Sequence, residues 1–225
     1  MTDVIKTIAI LGGTGDLGTG LARRWVQAGY NVVIGSRTQE KAEQAATELQ
    51  ALMQERGVTE ASVQPMDNLA AAEAGDIVVL TVPFSHQIST LESVKSSLEN
   101  KILIDVTVPL VPPKVGRVQL PEGGSAGQIA QNFLGEQTQV VSAFQNVAAH
   151  HLQEGHALDC DVLVCGDKKV AREAVINLVE AAGMRGFHAG PIANAAAVEA
   201  MTSVLITINR QYKCHAGIRI SGIEQ

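Results

Sequence analysis

The chain contains 225 residues, of which 46% are hydrophobic and 18% are charged, so it can bury a full core without disulfides or a structural metal. Only seven residues are aromatic (one Trp, two Tyr and four Phe), and the net charge is −6. These values argue against a nucleic-acid-binding surface, which needs basic residues and stacking rings, and against intrinsic disorder.

The first half of the chain alternates short apolar runs with longer amphipathic segments. This alternation is typical of a parallel sheet covered by helices on both faces. Strands are predicted over Thr7–Leu11, Asn31–Gly35, Ser62–Pro65, Asp76–Val82 and Lys101–Asp105. Helices are predicted over Leu17–Ala28, from a Thr38 cap to about Met53, and over His86–Leu98.

Four of the seven prolines lie in Val108–Gly124, which predicts a long surface loop of the kind that often carries function. After this Pro-rich loop, Ser125 and Gln128 form a capping box for a helix that ends near Gly135. Further strands are predicted over Gln139–Ala143, Cys160–Cys165 and Arg185–Ala189, and further helices over Asp167–Ala182 and from about Ala193 to Asn209.

These elements predict an α/β fold, a Rossmann-type doubly wound parallel sheet with a smaller C-terminal α/β unit. A shift in composition near His150 places the boundary between the two parts. We therefore expect a nucleotide-binding domain over residues 1–150 and a smaller domain over residues 151–225.

A glycine-rich segment, Gly12–Gly18, follows the first strand and opens the first helix. Its frame, Gly13-x-Gly15-x-x-Gly18, is the dinucleotide fingerprint. The first glycine makes the tight turn, the second lets the backbone approach a pyrophosphate, and the third lets the helix pack on the strand. The alternative, a glycine-rich turn without a ligand, is disfavoured by the position of this segment between a strand and a helix.

The end of the second strand indicates which dinucleotide is bound. An NAD enzyme carries an acidic residue there, but this chain has Gly35-Ser36-Arg37, with Lys41 one helical turn later. A hydroxyl, a guanidinium and an ammonium attract a 2′-phosphate, so we expect NADP, although Arg37 as an ordinary solvated side chain is the alternative. Asp16 places a negative charge beside the glycine loop, where the helix N-terminus favours an anion.

The segment from Thr81-Val82-Pro83 through His86, at the end of the fourth strand, should also border the ligand, because ligands of doubly wound sheets bind at the carboxyl ends of strands. We expect His86, its last residue, to cap or support a helix rather than donate a proton. His150, His151 and His156 match no zinc signature, so no metal site is predicted. No catalytic acid, base or nucleophile is predicted either, and hydride transfer between two cofactors requires none.

Seven segments resemble the coenzyme F420-dependent NADP reductases in the right order along most of the chain: Gly12–Gly18, Gly35–Arg37 with Lys41, Leu80–Pro83, Val141–Ala143, Val164–Asp167, Ala189–Pro191 with Asn194, and Asn209. The nucleotide-binding part is also similar to the STEAP metalloreductases. The resemblance implies hydride transfer between NADPH and the deazaflavin F420 in a cleft between a Rossmann domain and a small C-terminal domain.

The glycine frame and the resemblance together assign sixteen cofactor-binding residues. The NADP-binding set is Gly13, Thr14, Gly15, Asp16, Leu17, Gly18, Ser36, Arg37, Lys41, Thr81, Val82 and Pro83. The set near the nicotinamide is Ala143, Gln145, Asn146 and Val147. The resemblance places the deazaflavin between the Pro-rich loop, residues 145–147 and the last helix.

Departures from the family pattern fall on the second-substrate side, where the chain has Phe144–Ala148 and a polar stretch over Gln211–His215. A flavin could therefore replace the deazaflavin, which leaves an NADPH-dependent flavin or ferric reductase as the second candidate. An NADPH-sensing binding protein without turnover is the third.

The expected location is the cytoplasm. No apolar stretch reaches the roughly 20 residues of a membrane span, and no signal peptide is visible before the first strand. Three cysteines without CxxC spacing favour reduced thiols. The apolar face of the last helix predicts a homodimer, with small-molecule cofactors and neither nucleic acid nor membrane as partners.

Overall fold

The computed structural model describes residues 6–58, 62–154 and 158–223. The described strands are β1 Thr7–Leu11, β2 Asn31–Ser36, β3 Val63–Asp67, β4 Ile77–Leu80, β5 Ile102–Asp105, β6 Gln139–Ser142, β7 Asp161–Gly166 and β8 Arg185–His188. The described α-helices are α1 Asp16–Gln27, α2 Gln39–Glu55, α3 Asn68–Ala74, α4 Gln87–Val94, α5 Ala126–Leu134, α6 Ala149–Leu152, α7 Lys169–Ala181 and α8 Ala195–Tyr212. Short 3-10 turns cover Phe84–His86, Lys95–Leu98 and Ile192–Asn194.

The strands form one sheet in the order β3-β2-β1-β4-β5-β6-β7-β8. Strands β3 to β6 pair in parallel, and the chain crosses from one side of β1 to the other between β3 and β4. This reversal of direction along the sheet is the mark of a doubly wound fold. The predicted Rossmann-type class is thereby confirmed.

The prediction of a wholly parallel sheet is wrong at one pair of strands. β6 and β7 pair antiparallel through Val141 with Gly166 and Ser142 with Cys165. A parallel connection needs a crossover that returns the chain to the other end of the sheet, usually by a helix of several turns. The described part of the link between β6 and β7 contains only the four-residue helix α6, so the chain turns back.

Each face of the sheet carries its own hydrophobic core, because alternate residues of a strand point to opposite faces. Ile8 and Ile10 face a cluster that includes residues of α1, α2 and α7, whereas Ala9 and Leu11 face a cluster with residues of α3, α4, α5 and α8. The cluster on the first face also contains Val162 and Val164 of β7. The C-terminal residues therefore extend the same sheet and core.

Trp25 joins the early and late parts of this core. Its side chain is fully buried, its indole Nε1 donates to the Leu178 carbonyl at 2.9 Å, and its ring meets that of Phe144 edge-on at 5.9 Å between centroids. Because α1 carries Trp25 and α7 carries Leu178, this single residue couples two helices that lie far apart in the chain.

Two short helices, α3 and α6, were not predicted because neither is long enough to show a 3.6-residue period. The α3 start is marked by Asp67, whose carboxylate accepts the Ala70 N–H at 2.9 Å. Ser125 caps α5 as predicted, accepting the Gln128 N–H at 2.9 Å. Thr38 precedes α2 as predicted, but its side chain makes no capping hydrogen bond.

The expectation that no apolar stretch reaches the length of a membrane span is wrong, because within the described residues the 21-residue segment Ile192–Tyr212 has that length and the hydropathy to match. A single helix of this kind is weak support for a membrane location, since a core helix passes the same test. The expectation of no membrane partner stays a prediction.

Candidate functional site

The loops after β1 and β4 meet at the point where the strand order reverses, since these two strands are neighbours in the sheet. A cavity of about 500 Å³ lies there. Eight of the predicted site residues line it: Thr14, Gly15, Ser36, Arg37, Lys41, Thr81, Val82 and Pro83. This is the place where doubly wound sheets bind their ligands.

The three glycines of the fingerprint have different surroundings. A Cβ on Gly13 would lie 2.8 Å from the Ile10 carbonyl oxygen, and a Cβ on Gly18 would lie 2.8 Å from the Gly13 Cα, so both positions need glycine for packing. A Cβ on Gly15 would have no heavy atom within 4 Å. The backbone at Gly15 is thus open on the side where a pyrophosphate would approach, and the cavity fits a dinucleotide.

The charges at the cavity suit an anionic ligand. Arg37 and Lys41 line it and are exposed, whereas Ser36 is buried and its hydroxyl accepts the Thr38 N–H at 3.3 Å. Among the residues that the structure describes, no carboxylate lines the cavity. Asp16 is exposed in the first turn of α1, where the positive end of the helix dipole favours its charge.

Some predicted residues lie outside the lining of this cavity. Gly13 and Gly18 are buried beneath the loop, and Leu17 packs against the core. The four residues predicted near the nicotinamide follow β6 on the same edge of the sheet, two strands from β4 and so roughly 10 Å away. They are Ala143, Gln145, Asn146 and Val147.

Internal hydrogen bonds hold this second segment in place. The Gln145 amide donates to the Asp105 carbonyl at 2.7 Å and the Ser142 hydroxyl at 2.8 Å. The Asn146 amide donates to the Val198 carbonyl at 3.0 Å. Both side chains are buried, so they tie the end of β6 to β5 and α8.

Five residues outside the predicted cofactor-binding set also line the cavity: Gly12, Thr38, Asn68, His86 and Thr90. Of these, His86 belongs to the segment that was expected to border the ligand. The Asn68 side-chain oxygen accepts the Gly12 N–H at 3.3 Å and so supports the glycine loop from α3. The pair Asp67-Asn68, where β3 ends and α3 begins, is the sequence signal that could have identified it. His86 occupies the N-cap position of α4, as expected, although its side chain makes no capping hydrogen bond.

Two buried carboxyl groups lie behind the predicted nicotinamide segment. Glu199 of α8 is 1% exposed and accepts the N–H groups of Ala126 at 2.7 Å and Gly127 at 3.0 Å. Asp105, at the end of β5, is fully buried and accepts from the Gln87 side chain and the Thr107 N–H. Burial raises the pKa of Asp105 to about 6 and the pKa of Glu199 to about 7, against the opposing effect of their hydrogen bonds.

Stability should therefore fall as the pH rises toward neutrality. Folding raises both pKa values, so between about pH 4 and 7 the folded chain keeps protons that the unfolded chain has released. This contribution is complete below the unfolded pKa values and is lost as the pH rises through the folded ones. The free energy of unfolding, measured by urea denaturation, should fall between pH 5 and pH 8 by about 2 kcal/mol less in Glu199→Gln than in the wild type.

Glu173→Gln is the matched control for this experiment, because Glu173 lies on α7 with its side chain about half exposed beside Lys169. It should leave the pH dependence unchanged. A wild-type slope retained in Glu199→Gln would contradict the assignment of this titration to Glu199.

Three histidine rings, His150, His151 and His215, lie 5.3–5.9 Å apart between centroids. His156, which the sequence analysis considered together with His150 and His151, lies outside the described residues. In the part of the chain that the structure describes, no group of three His, Cys, Asp or Glu side chains is arranged to hold a metal ion.

Comparisons with known proteins place this chain in a family. The family model described as "NADP oxidoreductase coenzyme F420-dependent" matches residues 7–109. The F420-dependent NADP reductase of Methanocaldococcus jannaschii is 40% identical over 223 residues, which cover 96% of this chain and 99% of that protein. Metalloreductase STEAP3 of Rattus norvegicus is 30% identical over 190 residues, covering 84% of this chain and 35% of that protein.

Among solved structures, one from Arthrobacter sp. FB24, provisionally assigned as an F420-dependent NADP reductase, resembles this fold with a TM-score of 0.74. It is 24% identical and the match covers 93% of this chain and 96% of that one, so it supports the fold. The predicted family resemblance is confirmed by the curated relative at 40% identity over nearly its full length. The chain belongs to the family of the F420-dependent NADP reductases.

Proposed function

We propose that this protein transfers hydride between NADPH and coenzyme F420. The observation that carries the proposal is the cavity at the reversal of the strand order. Its backbone is open at Gly15 and its mouth is positively charged, with Arg37 and Lys41. The relative from Methanocaldococcus jannaschii, an F420-dependent NADP reductase, supports the choice of the second coenzyme.

The cavity would hold NADP through residues with distinct roles. The backbone from Thr14 to Gly18 and the positive end of α1 would bind the pyrophosphate. Ser36, Arg37 and Lys41 would bind the 2′-phosphate, and the loop Thr81–Pro83 would border the ribose and nicotinamide. Gly13, Asp16 and Leu17 belong to the same set, as residues that shape or extend the loop.

Arg37→Ala should weaken NADPH binding by about 1.5–3 kcal/mol and leave NADH binding nearly unchanged, because only NADPH carries the 2′-phosphate. Dissociation constants from nucleotide fluorescence titration would measure both losses. Lys169→Ala, which removes a cation that is 73% exposed on α7, is the control and should change neither. Equal losses for the two nucleotides would contradict the role of Arg37.

The second coenzyme would bind beside the nicotinamide, between the Pro-rich loop, residues 143–147 and α8. In this proposal residues 1–150 form the NADP-binding domain, and residues 151–225 complete the second-cofactor cleft and part of a dimer contact. Ala143 is small and fully buried at the end of β6, and Gln145 and Asn146 fix the following backbone through their amides. Val147 is half-buried at the end of this segment.

The chain's own contribution to the reaction would be positioning and the exclusion of water. Hydride would pass between the nicotinamide C4 and the deazaflavin C5, and the proton that reduction of the deazaflavin also requires would be exchanged with solvent, so the transfer itself would need no acid or base from the protein. The glycine loop and Arg37 would hold NADPH in place. The end of β6, hydrogen-bonded to β5 and α8, would form a rigid surface against which F420 binds.

One anaerobic experiment tests this function against its alternatives. The protein is mixed with NADPH and F420, FMN, riboflavin or a ferric chelate, and bleaching of each organic acceptor or formation of ferrous ion is followed by absorbance. Bleaching of F420 is the expected result. Turnover with flavin or ferric iron alone would favour the flavin or ferric reductase, and tight NADPH binding without any turnover would favour a sensor.

We further propose a cytoplasmic homodimer, with small-molecule cofactors as its other partners. The support is the outer face of α8, where Met201 and Val204 are 40% and 43% exposed. Apolar side chains grouped on one helix face favour burial against a second copy. Light scattering at micromolar concentration should give twice the 23.7 kDa chain mass, and a monomer would contradict the dimer.

A further inference from the structure

A second cavity, of about 390 Å³, lies between the Pro-rich loop and the C-terminal part of α8. Three cationic side chains line it, Lys114, Arg117 and Arg210, and no acidic residue of the described part of the chain does. Within residues 6–58, 62–154 and 158–223, none of the three forms an ion pair. The whole chain holds 23 acidic and 17 basic residues, so this basic cleft stands against the overall charge.

Contacts between the loop and the helix build the basic cleft. The Thr207 hydroxyl donates to the Gly116 carbonyl at 3.0 Å, and the Ser203 hydroxyl lies 3.4 Å from the Arg117 carbonyl. A Cβ on Gly116 would lie 2.9 Å from the Thr207 hydroxyl oxygen, so glycine permits this close approach. The backbone that carries Lys114 and Arg117 is therefore held against the helix that carries Arg210.

Folding alone gives no reason for three cationic side chains to lie around one cavity. Arg210 lies in the last turn of α8, where the negative end of the helix dipole favours a cation. Lys114 and Arg117 lie on the loop, where no such dipole acts. Three like charges around one cavity repel one another, and a bound anion would relieve that repulsion.

We propose that the basic cleft binds the anionic side chain of the deazaflavin coenzyme, whose ring would lie beside residues 143–147. This inference rests on the proposed function. F420 carries a phosphodiester and carboxylates, separated from its ring by a ribityl chain, and guanidinium and ammonium groups recognise both kinds of anion.

The course of α8 supports this placement. In the middle of α8, the Thr202 hydroxyl donates to the Gln145 carbonyl at 2.9 Å, next to the proposed position of the deazaflavin ring. Arg210 lies eight residues further along the same helix, or roughly 12 Å at 1.5 Å per residue. An anion on a flexible chain attached to the ring would thus meet the cleft outside the ring's own site.

The test compares F420 with a deazaflavin fragment that keeps the ring and ribityl chain but lacks the phosphodiester and carboxylates. In the variant Lys114→Gln/Arg117→Gln/Arg210→Gln, the dissociation constant and KM for F420 should rise about 30-fold at low salt. Both constants for the fragment, and NADPH binding, should stay unchanged. The salt dependence of F420 binding should be largely lost in the variant, because it comes from these exposed charges.

Lys169→Gln serves as the control for net charge, and the single variants Lys114→Gln and Arg210→Gln serve if the triple variant fails to fold. No weakening of F420 binding, or equal weakening for F420 and the fragment, would overturn the proposal. A cleft that binds inorganic phosphate, in a protein that binds F420 and the fragment equally well, would overturn it too. Absence of turnover with both deazaflavins would instead contradict the proposed function, while the binding titration still tests the cleft.

Discussion

Gly15→Ala is expected to abolish most NADPH binding while leaving the folded chain unchanged. Gly15 has φ −85° and ψ 167°, which alanine adopts readily, and its new Cβ would meet no heavy atom within 4 Å. The methyl group would instead occupy the space above the glycine loop, where the pyrophosphate would approach. Overpacking and lost charge-assisted hydrogen bonds together should cost about 3–5 kcal/mol, a rise in dissociation constant of at least a hundredfold.

Gly18→Ala is the matched comparison, because it adds the same methyl group three residues later. Here the new Cβ would lie 2.8 Å from the Gly13 Cα and 3.0 Å from its carbonyl carbon, and backbone atoms cannot move aside cheaply. Urea denaturation should show a loss of about 1–3 kcal/mol for Gly18→Ala and no loss for Gly15→Ala. Wild-type NADPH affinity in Gly15→Ala would show that the pyrophosphate does not lie against this glycine.

Trp25→Ala should destabilise the whole chain by about 3–5 kcal/mol, through the cavity it leaves and the loss of its partner groups. The side chain is fully buried, and its indole N–H would no longer satisfy the Leu178 carbonyl. Because Trp25 links α1 to α7, early and late parts of the chain should still unfold together in one transition. A second transition appearing in the wild type would show that the proposed domains unfold separately.

Far-UV circular dichroism is the suitable measurement, since Trp25 is the only tryptophan and its replacement removes that fluorescence signal. Tyr212→Ala provides an aromatic control, because Tyr212 is 73% exposed at the end of α8 and should change stability by less than about 0.5 kcal/mol. Equal urea midpoints for the two variants would contradict the structural role assigned to Trp25.

Most helices and strands could be predicted from the sequence, because periodicity, caps and turn residues lie within each element or directly beside it. The glycine frame lies between a strand and a helix in the sequence, and the structure places Thr14, Gly15, Arg37 and Lys41 around one cavity. The short helix α3 escaped prediction because seven residues show no clear period. Asn68, the first residue of α3, was therefore not predicted as a site residue either. Its hydrogen bond with the Gly12 N–H joins residues 56 positions apart in the chain.

The sequence by itself determined the doubly wound fold, the dinucleotide fingerprint and the absence of an acidic residue after the second strand, because each depends on residues close together in the chain. Only the tertiary structure decided the antiparallel turn at β6 and β7, the buried Asp105 and Glu199, and the basic cleft. Arg210 lies 93 residues from Arg117 in the chain, and Glu199 lies 72 residues from Gly127. Contacts over such separations arise when the sheet brings its edges and covering helices together, and no local period or motif records them.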